Sequence, residues 1–221
     1  MGIFAQEAFG LTKRIMKRDF SGYTGMAVKN SIYQFATNII SKVGSLIFTV
    51  LIARLLMPEL FGLYSLALST IVLMGGFSDL GIGTALIRYL SRSKKNAKGY
   101  YNYLLKLKIR LTFLVMFVLL ISSYFIANYY YNKPIFLALL AGTIYLLATS
   151  LLSFFLSLFY AENDFKIPLY KEIFFQVIRL IIIPLTILLT ISRFSQEITI
   201  FFLILGLSVC YAVSIVFFKV K

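Results

Sequence analysis

Residues 31–55 read SIYQFATNIISKVGSLIFTVLIARL, a stretch of membrane-spanning length that carries a lysine, Lys42, near its middle. A transmembrane helix needs about 20 mostly apolar residues to cross a hydrocarbon core about 30 Å thick. Lys42 is eleven residues from Ser31 and eleven from Ala53, which at about 1.5 Å of rise per residue puts it about 16 Å from either. Its ammonium is too deep to snorkel out fully. A lysine there costs about 2.5 to 3.5 kcal/mol on insertion scales, so it faces a bundle interior or a watery cavity. At about 100° per residue, Ser31, Gln34, Asn38, Ser41, Lys42, Ser45 and Thr49 fall in one arc of about 100°. Ser, Thr and Asn at such positions also serve ordinary helix packing. A packing contact, however, does not require a charge that must be hydrated or paired.

The rest of the composition agrees with a membrane setting. The chain has 221 residues, is 60% hydrophobic and has a mean hydropathy of +0.90, and several of its runs reach transmembrane length. There is no His and a single Cys, Cys210, inside an apolar run. That excludes the usual metal-ligand clusters and any disulfide framework. No cofactor is implied. The first thirty residues lack an apolar core and a small-residue cleavage site, so the N-terminus is expected to be retained.

In chain order, Phe4, Ala8, Leu11 and Ile15 fall at helical spacing beside Lys13, Arg14, Lys17 and Arg18. This makes residues 1–30 a basic amphipathic segment on an anionic membrane face or, equally, a disordered basic tail. The first span, about 31–54, ends at a turn marked by Pro58 and Gly62. The second, about 61–83, places Ser65, Ser69, Gly76, Asp79 and Gly83 on one face. Asp79 lies near its end, as an interfacial carboxylate, a helix cap or a functional group. Thr84 to Arg92 reads as an interfacial helix, and Lys94, Lys95, Lys98, Lys106, Lys108 and Arg110 as a basic connection.

The third span, about 111–130, ends in Tyr129, Tyr130 and Tyr131, an aromatic belt, before the turn Asn132-Lys133-Pro134. The fourth, about 135–159, carries Tyr145, Thr149 and Ser153 on one side, bordering a cavity or bonding neighbouring helices. Residues 160–172 make a polar elbow. The fifth span, about 173–192, has Gln176 and Arg179 in its first turns, with Arg179 either snorkelling or pointing inward, and Pro184 as a kink site. The sixth is about 198–218.

Eighteen of the Lys and Arg residues fall on one side of this arrangement and three, Arg54, Lys133 and Arg193, on the other, with Lys42 apart. Basic residues collect in cytoplasmic loops. The expected topology is therefore a multi-pass protein of the cell membrane with both termini cytoplasmic. The net charge of +14 becomes an orientation signal, and nucleic acid drops out as a partner. The fold class is all-α, a polytopic membrane protein of six transmembrane helices (residues 31–221).

No phosphate-binding Gly-rich loop, HExxH, GxSxG or hydrolytic acidic pair is present. No catalytic residue stands out, and transport fits better than enzymatic chemistry. At the join of the first two spans, ARLLMPELFGLYSLALS (residues 53–69), followed by FSDLGIGTALIRYLSR (residues 77–92), resembles the polysaccharide-transporter flippases of the multidrug, oligosaccharidyl-lipid and polysaccharide exporter superfamily. The likeness covers about residues 28–220 as the topology of one, N-terminal lobe.

The resemblance implies a two-lobed transporter of twelve or fourteen helices that moves a lipid-linked oligosaccharide to the outer leaflet by alternating access. Its first helix would line the central cavity. Related lipid II flippases carry a basic residue at the same distance before the Ala-Arg pair, a position that Lys42 matches, with Arg54 as the Arg of the pair. A lysine there offers a diphosphate a point charge and lacks the bidentate fork of an arginine. Six spans are half of what the family uses, so a fragment or partial gene product is expected. A second lobe or second copy is the other arrangement.

Three readings follow. In the first, Lys42, Asn38, Ser45, Thr49 and Ser65 bind the lipid-linked substrate. In the second, the lobe belongs to a cation-coupled drug or metabolite exporter, with Asp79 as the coupling carboxylate. In the third, it is a non-transporting scaffold or assembly subunit. Membrane lipids are partners in all three.

Overall fold

The computed structural model describes residues 22–92 and 97–216. The expectations for residues 1–21, Lys94, Lys95, Lys219 and Lys221 lie outside the described residues. Among these there is no strand, and the order is α1 (Gly22–Gly76), α2 (Ile82–Arg92), α3 (Ala97–Phe125, continued by the π-helical turn Ile126–Tyr130), α4 (Phe136–Ala161), α5 (Lys166–Thr190) and α6 (Gln196–Val216).

Although α1 is 55 residues long, Met57 has φ 61° and ψ 161° and Pro58 follows it. A proline lacks the amide hydrogen that would continue the ladder, and its ring crowds the preceding turn. The helix therefore breaks into two arms, 22–56 and 58–76. Their neighbours show that the chain reverses there. The first arm sets Ser41 against Gln176 and Ser45 against Arg179, and so runs in the direction of α5. In the second, Ile71 lies against Gly142 and Gly75 against Leu146, so this arm runs with α4. Helices α4 and α5 are themselves antiparallel, because the end of α5 leads into α6, whose Glu197 accepts a bond from Leu137 N at the start of α4. Five helices are long and apolar enough to cross a membrane, and the reversal at Met57 divides the first between two crossings.

Helix α4 is apolar around most of its circumference and is the central element, buried through Ala138, Leu139, Ala141, Gly142, Leu146 and Leu152. It packs most extensively on α6, and also on α3, α2 and the second arm of α1. The outward faces are equally apolar: Phe113, Leu114, Phe117 and Ile121 of α3 and Ile181, Leu185 and Leu188 of α5 are exposed. Such a surface suits hydrocarbon or another apolar protein face. At one end of the bundle the exposed Tyr129 and Tyr130 cap α3, as an aromatic belt does.

Helix α2 is amphipathic. It buries Ile82 and Leu86 against Leu104 and Phe154 and exposes Arg88 and Tyr89. Helix α3 starts well before residue 111, where a membrane span was expected to begin. Leu104, Lys108, Thr112, Val115 and Leu119 are buried at spacings of four, four, three and four, which is one continuous helical face. Lys106, Lys108 and Arg110 are therefore helical residues and not part of a loop. Likewise α5 begins at Lys166, so most of the expected elbow is helix, and the helix continues through Pro184.

Candidate substrate-facing surface and the buried polar network

The first arm of α1 has three flanks. Thr37, Gly44, Phe48 and Ile52 are buried in the bundle, and Ile39, Val43, Leu46 and Val50 form an exposed apolar strip. Between them lie the exposed Asn38, Lys42 and Thr49, with Ser45 half-buried at the edge. The polar stripe is thus divided: Ser31, Asn38, Lys42 and Thr49 are exposed, whereas Gln34, Ser41 and Ser45 are half-buried beside the packed flank. Ser65 is exposed on the second arm, on a face it shares with Gly62, Ser69 and Gly76. Several hydroxyls make the ordinary bond to their own helix: Thr49 Oγ1 donates to the Ser45 carbonyl at 2.8 Å and Ser65 Oγ to the Gly62 carbonyl at 3.0 Å.

Behind this stripe, α5 turns an unexpected row of polar groups inward. Glu172, Gln176 and Arg179 are spaced by four and three, hence on one helical face, and all three are buried, as is Lys171. Lys171 Nζ donates to Glu172 Oε2 at 2.9 Å, and Gln176 Nε2 donates to Glu172 Oε1 at 2.7 Å. Arg179 Nη2 donates to Gln176 Oε1 at 2.6 Å and reaches Ser45 Oγ at 3.4 Å. Gln176 Nε2 also approaches the Ser41 carbonyl at 3.4 Å.

Gly44 makes this approach feasible, since a Cβ there would run into the Gln176 side chain. The Arg179 guanidinium lies 4.0 Å from the ring centroid of Phe48 and 5.2 Å from that of Phe175. Tyr211 packs at a tilt against Phe175 and meets Tyr145 edge-on. Arg179 therefore points inward. Glu172, expected in the polar elbow, is a buried carboxylate of α5. The signal for both was the spacing of Glu172, Gln176 and Arg179.

A second polar site joins three helices. Lys108, 1% exposed, bonds Asp79, whose side chain is 46% exposed. A cavity of about 270 Å³ beside them is lined by Ser78, Tyr145, Thr149, Ser150 and Ser153 among others. Thr149 and Ser153 do border a cavity, and both also bond their own helix backbone. Thr112 Oγ1 and Ser150 Oγ share a 2.6 Å bond between α3 and α4. Among the described residues no group of three His, Cys, Asp or Glu could hold a metal, and Cys210 is buried.

The family model for polysaccharide biosynthesis proteins matches residues 27–220. The chain belongs to this family. Its members are the polysaccharide transporters and flippases of the multidrug, oligosaccharidyl-lipid and polysaccharide exporter superfamily, and they are transporters, not enzymes. No curated protein and no solved structure matches the chain. As a member of the polysaccharide biosynthesis family with five long apolar helices, it is an all-α, multi-pass membrane protein.

Proposed function

We propose that this chain forms one lobe of a flippase that carries a lipid-linked oligosaccharide across the cell membrane by alternating access, with both termini on the cytoplasmic side. The observation that carries the reading is the exposed Lys42 in the middle of a helix that is apolar outside one polar stripe. A bare ammonium facing acyl chains is strongly disfavoured, so the flank that bears Lys42, Asn38 and Thr49 faces a water-filled cavity. Lys42 attracts the anionic diphosphate head, and Asn38, Ser45, Thr49 and Ser65 bond sugar hydroxyls. A second lobe or a second copy closes the cavity from the other side. The orientation is supported by Arg88 of α2, Lys98 at the start of α3 and Lys166 at the start of α5, at the end of the bundle where Leu90, Lys98 and Ala161 border one cavity. That end carries most of the basic residues outside the spans.

Coupling of transport to a cation through Asp79 first requires release of Lys108. The test is export of the surface glycan in source cells whose own copy is replaced by variants. Lys42→Ala is expected to abolish export at normal expression and Lys42→Arg to keep most of it. Wild-type export by Lys42→Ala removes the assignment.

A further inference from the structure

We infer that Arg179 is a second anion-recognition residue of this lobe, supplying to a phosphate or diphosphate group the fork that Lys42 lacks. The inference rests on the flippase reading for the identity of its substrate, and on charge and geometry for the site itself.

The buried groups between α5 and α1 do not balance. Lys171 and Arg179 are cations and Glu172 is the one carboxylate among the groups that interact with Arg179. Both Glu172 oxygens are taken, Oε2 by Lys171 and Oε1 by the Gln176 amide. What is left for Arg179 is a neutral amide oxygen at 2.6 Å, a serine hydroxyl at 3.4 Å and two aromatic faces. Its Nε is buried with no hydrogen-bond partner.

Aromatic faces return only part of what burying an ion costs. One positive charge and one N–H donor are therefore unmatched, in a residue only 8% exposed. The guanidinium is planar, and its parallel N–H groups fit phosphate oxygens two at a time. Tyr64, which interacts electrostatically with Arg179, carries a hydroxyl that suits a further oxygen.

Placement gives the two cations an order of use. Ser41 and Ser45, the α1 residues that Gln176 and Arg179 reach, flank Lys42 on the helix. Lys42 is exposed while Arg179 lies under Phe48. An arriving anion meets Lys42 first, and reaches Arg179 when the first arm of α1 shifts against α5. The seam that must open is the one at Gly44 and Gln176, where close packing rests on the absence of a side chain at residue 44. The anion comes from one of two sources with the same chemistry, the diphosphate of a lipid-linked saccharide or the phosphate of an anionic phospholipid.

The test is the thermal unfolding midpoint of the full chain in detergent. The probes are inorganic pyrophosphate, phosphatidylglycerol in mixed micelles, and sodium chloride at matched ionic strength. Pyrophosphate is expected to raise the wild-type midpoint beyond the salt control. Arg179→Gln is expected to lose that shift and Arg179→Lys to keep less than half of it. A shift with phosphatidylglycerol alone, lost in Arg179→Gln, supports the site and assigns it to a lipid headgroup. An equal pyrophosphate shift in Arg179→Gln and wild type overturns the inference, as does no shift with either anion.

If Arg179→Gln does not fold, phenylglyoxal modification of the wild-type chain decides. Pyrophosphate or phosphatidylglycerol must slow the reaction at Arg179, and an unchanged rate overturns the inference. None of these measurements needs transport. A chain that binds pyrophosphate through Arg179 but exports no glycan keeps this inference and loses the flippase reading, and the converse result separates them the other way.

Discussion

The guanidinium carbon of Arg179 lies 4.0 Å from the centroid of the Phe48 ring, so the deepest cation of α5 is seated on the first arm of α1. Thirteen residues after Lys166, at about 1.5 Å per residue, Arg179 is about 20 Å along its helix and 8% exposed. The aromatic face is thus a main source of its stabilisation. Phe48→Leu keeps apolar volume and removes the ring. It is expected to lower stability by about 1 to 2 kcal/mol, with Phe48→Tyr near wild type, measured by thermal unfolding in detergent. Equal stability of Phe48→Leu and wild type contradicts the contact's role.

Gly44 tests the same seam from the backbone side. A methyl group there collides with Gln176, and overpacking of this kind costs about 1 to 3 kcal/mol. Gly44→Ala is expected to destabilise the wild type by that amount and to cost less than half as much in a Gln176→Ala background. A double-mutant cycle measures the difference, and additive effects would show that the two residues do not meet.

The Asp79–Lys108 pair is lopsided, with the lysine at 1% exposure and the aspartate side chain at 46%. Removing the acid strands a buried ammonium, which costs about 3 to 5 kcal/mol. Removing the lysine leaves a carboxylate that water can reach. Asp79→Asn is therefore expected to be the more destabilising change and Lys108→Met the milder one, with the double variant recovering most of the loss. The three unfolding midpoints decide, and the reverse order contradicts the burial of Lys108.

Met57 holds a backbone conformation of φ 61° and ψ 161°, a region that costs a non-glycine residue about 1 to 3 kcal/mol. The residue is 69% exposed and contributes little packing. Met57→Gly is expected to raise the unfolding midpoint or leave it unchanged, whereas Met57→Val, branched at Cβ, lowers it. Destabilisation by glycine would place the strain elsewhere.

The long apolar runs were legible because hydrocarbon leaves the backbone few options. The turn at Pro58 was legible because its residues are turn formers, and the stripe around Lys42 because helical periodicity carries it. Charge in a sequence suggests solvent exposure, which puts Lys108 in a basic connection and Glu172 in a polar elbow, yet both lie on helices whose faces turn inward and find partners there. Sequence periodicity places Glu172, Gln176 and Arg179 on one face. It does not show that the face meets Ser41 and Ser45 of α1, because that depends on how two distant helices pack. Whether Asp79 is free was equally invisible, since its partner lies 29 residues away in α3.

The proposed transport path requires the flank of α1 bearing Lys42 to face water and the neighbouring flank to face lipid. The direct measurement is labelling by a membrane-impermeant thiol reagent, in intact membranes, of single-cysteine variants built on Cys210→Ser. Asn38→Cys and Thr49→Cys are expected to react rapidly, and Val43→Cys and Leu46→Cys to stay unmodified. Equal reactivity at all four positions, or reaction at Val43→Cys and Leu46→Cys alone, would contradict a water-filled cavity along this face.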